Sequence, residues 1–341
     1  MSGREITSVL TTVSYEGKHL ERLRDIFAPA PVIQLADDDN AGIAQALAVT
    51  DVAVLRADLD ERFAHAPHLA WIHCDHAGLN GSAKPWVIER TDLTVTASAG
   101  RAAPALAQHA FFFALGLIYD APGLVRIKNE HKWRGLPGYE DRRGLYGKTL
   151  GVIGLGHTGL EIARLGKAMG MTVLGYGRGS AQAATPELDG YFDGGAGASI
   201  DTILAESDVL ILCIRLTDST FHMIGERELS MMKPTAYLVN MARGAVVDEA
   251  ALVAALHAGT IAGAGLDVFE QEPLPADAPI WDAPNTIMTH HVTAEMPDLT
   301  ARSLDIIAEN VRRYRAGEDL LNRLVPSDVY TKGEERPSTS A

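Results

Sequence analysis

Three polar side chains in the second half of this 341-residue chain stand just past apolar runs: Arg243 after YLVN, Glu272 after GAGLDVF and His291 after TIMT. A guanidinium grips a carboxylate or polarises an oxygen through its planar fork. A carboxylate orients an imidazole, and an imidazole near neutral pH delivers a proton. Read as strands, the three runs put these groups at carboxyl ends, where open α/β sheets bind ligands. Taken singly, Arg243 and Glu272 read as a structural ion pair and His291 as a loop histidine. Their weight comes from standing together, in order, behind a glycine-rich turn.

That turn is Gly154-Leu155-Gly156-His157-Thr158-Gly159. The run LGVI precedes it, LEIARLGKAM follows with helical spacing, and MTVLGY completes a strand–helix–strand unit of about thirty residues. The first glycine permits the tight turn, the second lets backbone approach a pyrophosphate, and the third lets helix pack on strand. The pyrophosphate then meets the positive end of the helix. His157 and Thr158 in the turn, and Ile214 ending the run Val209–Ile214, complete the expected contacts to a dinucleotide. An acid for the ribose hydroxyls is expected after the second strand, yet Tyr176 is followed by Gly177, Arg178, Gly179 and Ser180. An arginine beside a hydroxyl suits a 2′-phosphate, which favours NADP(H) over NAD(H). The alternative is that Arg178 is a solvated loop charge.

The elements that must carry these groups alternate, apolar run with helical stretch, over most of the chain, the pattern of parallel sheets. The first hundred residues give strands at Val9–Val13, Val32–Leu35, Val52–Leu55, Leu69–Ile72 and Leu93–Thr96. A second series runs through Leu150–Ile153, Thr172–Tyr176, Val209–Ile214, Tyr237–Asn240, Gly263–Val268 and Thr286–Thr289. Between them Pro104 to Ile118 predicts a very apolar helix in which Phe111, Phe112 and Phe113 cannot all face one core. The extra aromatic face, followed by a polar arm carrying Trp133 and Tyr139, predicts a dimer, the alternative being that the N-terminal domain or the final helix covers that face within one chain. A last amphipathic helix ends near Ala316, and the polar tail 326–341 reads as disordered.

Composition excludes several classes. Net charge is −14, from 30 Lys plus Arg against 44 Asp plus Glu, with no basic stripe. Neither nucleic acid nor an anionic membrane is the expected partner. Cys74 and Cys213 are the only cysteines and form no CxxC pair, against a disulfide or zinc-ribbon scaffold. The longest apolar stretch, Phe111 to Tyr119, is half a membrane span, and no signal-peptide pattern opens the chain, so a cytoplasmic location is expected. His73, Asp75 and His76, with His65 and His68, raise a metal reading that their placement disfavours, and no metal is expected.

The segments GLGHTG, NMARGAVVDEAALVAAL, GAGLDVFEQEPLP and the strand ending THHV resemble the D-2-hydroxyacid dehydrogenases, among them glyoxylate and hydroxypyruvate reductases. The resemblance runs from ASAGRAAPALAQHA through the final helix. It implies a Rossmann cofactor domain over 102–293 inserted into a flavodoxin-like substrate domain of 1–101 and 294–325, both doubly wound parallel-sheet α/β units. It makes Arg243 the holder of the substrate carboxylate and keto oxygen. Glu272 is expected to hydrogen-bond His291 and support its protonation, and His291 to protonate the reduced oxygen. Asp267 matches an aspartate near the nicotinamide carboxamide, and Ala242 lies against the cofactor. WIHCDHAGLNGS resembles a loop whose backbone N–H groups, here of Gly78 and Leu79, meet the carboxylate, with His76 or Asp75 shaping specificity. The implied reaction is NAD(P)H-dependent reduction of a small 2-oxo acid to the D-2-hydroxy acid, by a homodimer formed through the cofactor domain.

The sequence departs from that pattern at His290, where proline is common before the catalytic histidine. It departs also at Arg215, another proline position, which can contact a phosphate or pair with Asp218, and at Gln108 in place of Glu. Formate oxidation is disfavoured because Glu272 stands where those relatives use Gln. Phosphite oxidation is disfavoured because Ala77 stands in place of Lys. Phosphoglycerate oxidation lacks its regulatory domain. A dinucleotide-sensing corepressor shares the fold and the triad, and only turnover separates it from an enzyme.

Overall fold

The computed structural model describes residues 4–136, 138–141, 144–179, 185–292 and 295–332. The chain divides into two compact units, Met1–Arg101 with Met296–Ala341, and Ala102–Glu295.

In the first unit the apolar runs form strands β1 (Val9–Thr11), β2 (Val32–Gln34), β3 (Val52–Leu55), β4 (Trp71–Cys74) and β5 (Thr94–Ala97). Their order is β2-β1-β3-β4-β5 with every pairing parallel, the flavodoxin-like doubly wound arrangement. Both faces are covered, which is why β3 is buried at all four positions and reads as a continuous apolar run. One face packs Leu10, Ile43, Phe63 and Ile72. The other packs Leu23, Phe27 and Trp71 against Leu304, Ile307 and Val311 of the helix Leu299–Ala316. The chain expected to be disordered from Pro326 is instead folded as far as the described residues reach. Pro326–Asp328 forms a 3-10 turn in which the Asp328 carboxylate accepts from Val325 N, and Tyr330 N donates to Ala83 O. Polar composition misled here because one buried aspartate supplies a turn that composition does not register. Residues 333–341 lie outside the described residues.

In the second unit, β6 (Thr149–Ile153), β7 (Thr172–Gly177), β8 (Gly190–Asp193), β9 (Val209–Leu212), β10 (Tyr237–Asn240), β11 (Gly263–Leu266) and β12 (Thr286–Met288) form one parallel sheet. The order β12-β11-β10-β9-β6-β7-β8 reverses between β6 and β9, and ligands of such sheets bind at that switch point. The helix Ala103–Ile118 buries Phe111 and Phe113 and leaves Phe112 53 % exposed, so the three phenylalanines do diverge. Among the described elements that the sequence reading did not place are a strand and a helix of the second unit. β8, GYFD, is a short edge strand with no fully buried position. The helix Ala121–Asn129 starts on the Asp120 carboxylate, which accepts from Gly123 N at 3.1 Å, with a proline in its first turn. No single helix among the described residues is long and apolar enough to cross a membrane.

Candidate active site

At the switch point, β6 ends at Ile153 and the helix His157–Ala168 starts with Gly156 as N-cap. Gly154 has φ +99°, and a Cβ there would lie 2.7 Å from Cys213 O and 2.8 Å from Ile214 Cα, just beyond β9. A Cβ on Gly159 would lie 1.9 Å from Gly154 O. A Cβ on Gly156 would meet nothing within 4 Å, so that face of the turn is open. The Cys213 thiol donates to Gly154 O at 2.9 Å, and burial pushes its pKa up to about 12, which keeps it a neutral donor. The helix has neither a side-chain cap nor an acid in its first turn. Its unsatisfied N–H groups and dipole therefore fit a pyrophosphate. The residues that would hold it are Gly154, Gly156, His157, Thr158 and Gly159.

Arg178 directly follows β7. The next residue, Gly179, donates its N–H to Asp193 Oδ1 at 3.1 Å and accepts from the Tyr191 hydroxyl at 2.8 Å. No acid adjoins β7 in sequence, yet the fold brings one from the end of β8. Asp193 also accepts from Gly195 N and Ala196 N. Ser180 lies outside the described residues.

The turn after β10 is built on the buried Asn240. Its amide donates to Arg243 O at 3.1 Å and its Oδ1 accepts from Ala242 N at 3.0 Å. Ala242 is buried, and Arg243 donates one Nη1 hydrogen to Ala242 O at 2.7 Å. A Cβ on Gly244 would fall 1.8 Å from the Phe269 carbonyl carbon. Only glycine allows the Arg243 segment to touch the segment carrying Glu272 so closely.

Past β11, Glu272 Oε1 accepts from Phe269 N at 2.9 Å and Oε2 lies 2.7 Å from His291 Nδ1. His291 sits at φ +56°, a left-handed conformation rare outside glycine and found where surrounding structure holds it. The hold comes from Asp267, 2 % exposed, whose Oδ1 accepts from the Thr289 hydroxyl and from Val292 N at 3.3 Å. Of the two adjacent histidines it is His291 that meets Glu272, and His290 is exposed. The arrangement leaves a carboxylate-supported imidazole half exposed, ready to pass a proton. Arg215 sits in the loop after β9, where its carbonyl accepts from Thr220 Oγ1 at 2.7 Å.

The sequence reading missed His109 and His222. His109 Nε2 lies 3.1 Å from Thr289 Oγ1, and His222 Nε2 lies 2.8 Å from Glu270 Oε1. His109 sits inside the apolar run ALAQHAFFF, where helical spacing marks it as core; only its three-dimensional neighbour distinguishes it.

In the first unit, Gly78 and Leu79 follow β4, with the Leu79 side chain buried in the core. His73 is fully buried between Thr96 Oγ1 and Ser98 Oγ, each at 2.9 Å, and burial lowers its pKa to about 4. It is a satisfied, neutral core histidine. Asp75 accepts from Ser98 Oγ and Arg101 Nη1, both at 2.9 Å, and from the Tyr15 hydroxyl at 3.2 Å. His65 and His68 are exposed. Asp58, Cys74 and His76 offer ligand atoms within 4.8 Å of one another; Asp58 Oδ1 accepts from Ser82 N at 2.9 Å, and burial raises the Cys74 thiol to about 12.

A doubly wound unit with an open glycine turn at its switch point, and an imidazole–carboxylate pair beyond its last strands, defines a nucleotide-dependent α/β protein. The family profile described as D-isomer specific 2-hydroxyacid dehydrogenase, NAD binding domain, matches residues 113–293, and the chain belongs to that family. A glyoxylate reductase from Korarchaeum cryptofilum is 38 % identical over 216 residues, 60 % of this chain and 62 % of that protein. A glyoxylate reductase from Thermococcus litoralis is 38 % identical over 246 residues, 70 % of this chain and 71 % of that protein. The chain thus spans somewhat under two thirds of the first relative's length. A D-isomer specific 2-hydroxyacid dehydrogenase from Xanthobacter autotrophicus Py2, solved in complex with NADPH and MES, matches 95 % of this chain and 99 % of its own. Its TM-score is 0.77 at 27 % identity.

Proposed function

We propose that the protein reduces a small 2-oxo acid, of the glyoxylate or hydroxypyruvate type, to the D-2-hydroxy acid, with NADPH favoured over NADH. The observation that carries the reading is the 2.7 Å contact between His291 Nδ1 and Glu272 Oε2 in the same unit as the open glycine turn. With Nδ1–H held by the carboxylate, Nε2 is the position from which His291 gives its proton to the substrate oxygen as negative charge develops there. Arg243 takes the substrate carboxylate and polarises the keto oxygen, and the backbone N–H groups of Gly78 and Leu79 are further carboxylate donors. The bound nicotinamide supplies the hydride. Asp267 and Ala242 would hold the nicotinamide end of the cofactor, and Ile214 and Arg178 the adenosine end. In this reading residues 102–293 are the cofactor domain, and 1–101 with 294–325 the substrate domain. Chains pair through the cofactor domain. The NADPH-bound Xanthobacter structure and the glyoxylate reductase relatives support the cofactor and substrate classes.

The test is NADPH and NADH oxidation followed at 340 nm with a panel of 2-oxo acids. Steady turnover of glyoxylate or hydroxypyruvate with NADPH is expected. Tight NADPH binding without turnover of any 2-oxo acid would overturn the enzyme reading in favour of a dinucleotide-sensing binding protein.

A further inference from the structure

His109, on the helix Ala103–Ile118, lies 180 residues from Thr289 in sequence and 3.1 Å from it in space. A hydroxyl has one hydrogen, and that of Thr289 goes to Asp267 Oδ1. Toward His109 the Thr289 oxygen is therefore an acceptor, and His109 Nε2–H is the donor. Burial lowers the His109 pKa, and the Nε2–H donor exists whether the ring is neutral or charged. The rings of Phe113 at 4.6 Å and Phe112 at 5.4 Å stand edge-on to the imidazole and fix its plane. From Asp267 the chain of hydrogen bonds passes to Val292 N. The residue before His290 and the residue after His291 are thus tied to one buried carboxylate. His291 keeps its left-handed backbone and its contact with Glu272 between those two ties.

We propose that His109 is a positioning residue for His291: by donating to Thr289 it commits the threonine hydroxyl to Asp267 and so fixes the backbone that presents the imidazole to Glu272. This rests on His291 as the proton donor, but its geometric content is testable without turnover. A carboxylate accepting from Nδ1–H holds the neutral imidazole in its Nδ1–H form, whereas an unheld histidine favours Nε2–H.

The experiment is long-range ¹⁵N–¹H correlation on protein labelled at histidine, at a pH where His291 is neutral. It compares the unaltered chain with His109→Ala, His109→Gln and Thr289→Val. The unaltered chain should show His291 as the Nδ1–H tautomer. His109→Ala and Thr289→Val should shift it toward Nε2–H, and His109→Gln, whose amide can still donate, should restore it. In turnover, His109→Ala should lower kcat roughly 10-fold with KM and NADPH affinity little changed, as expected for a misplaced catalytic group. An unchanged His291 tautomer in both His109→Ala and Thr289→Val overturns the proposal. So does an equal fall in NADPH affinity and melting temperature without a tautomer change, which is a packing effect. Absence of turnover in the unaltered chain defeats the proposed reaction and leaves the tautomer measurement to decide the role of His109.

Discussion

His291 and Glu272 are 19 residues apart and meet at 2.7 Å, with the carboxylate's other oxygen held by Phe269 N–H. The carboxylate is oriented from behind by backbone, so the imidazole it supports has a fixed direction rather than a choice of rotamers. His291→Ala should therefore lower kcat by about 10² or more while NADPH affinity stays nearly constant, as for loss of a general acid. His290→Ala should change kcat little. Steady-state rates with direct NADPH titration distinguish the two; a large loss confined to His290→Ala would reverse the assignment.

Arg178→Ala should weaken NADPH binding by ~10- to 150-fold, the range for one charge-assisted hydrogen bond of about 1.5–3 kcal/mol, and leave NADH binding nearly unchanged. Cofactor fluorescence titration measures both. Equal affinity of the unaltered protein for the two cofactors would count against the 2′-phosphate role. Asp193 holds the neighbouring Gly179 N–H, so Asp193→Ala should alter cofactor binding as well.

Gly244→Ala forces a methyl group to within 1.8 Å of the Phe269 carbonyl carbon, a clash with backbone rather than with a pliable side chain. Overpacking of that kind costs roughly 1–3 kcal/mol or more. A lower melting temperature is expected, together with a loss of kcat larger than the loss of cofactor binding. Unchanged stability would mean that the two backbone segments separate freely.

His73 titrates near 6.5 when unfolded and at about 4 when folded, because burial disfavours its charge. Between those values the unfolded chain binds more protons. Stability from this group is complete above the unfolded pKa and is lost as pH falls toward the folded one, in total roughly 3 kcal/mol. Urea unfolding at neutral pH and at about pH 4.5 should show a smaller pH difference for His73→Gln than for the unaltered chain. Identical pH differences would contradict the burial of a neutral imidazole.

Phe112 is 53 % exposed between two buried phenylalanines, and Tyr119, Val125 and Trp133 nearby in the chain are exposed too. With the proposed homodimer, sedimentation at low micromolar concentration should give about twice the 36.5 kDa chain mass. Phe112→Glu should shift it toward that of one chain without a fall in helix content. A mass of one chain for the unaltered protein removes the dimer.

The sequence by itself determined what local patterning can carry. Apolar runs long enough to be buried on both faces specify parallel strands, and GLGHTG specifies a turn in which Gly159 answers to Gly154 O within the turn itself, although Gly154 also answers to the distant backbone of Cys213 and Ile214. The order of Arg243, Glu272 and His291 behind that turn was legible for the same reason, since each stands in the turn that follows a strand. The tertiary structure decided which groups meet. That His291 rather than His290 reaches Glu272 depends on a left-handed backbone angle held by Asp267. The arrival of Asp193 at Gly179 depends on β8, whose four residues carry too little apolar pattern to announce a strand. The contact of His109 with Thr289 joins a helix and a strand end 180 residues apart. Side-chain hydrogen bonds of this kind leave no periodic trace in the sequence, because direction and distance are set only once the two elements are packed.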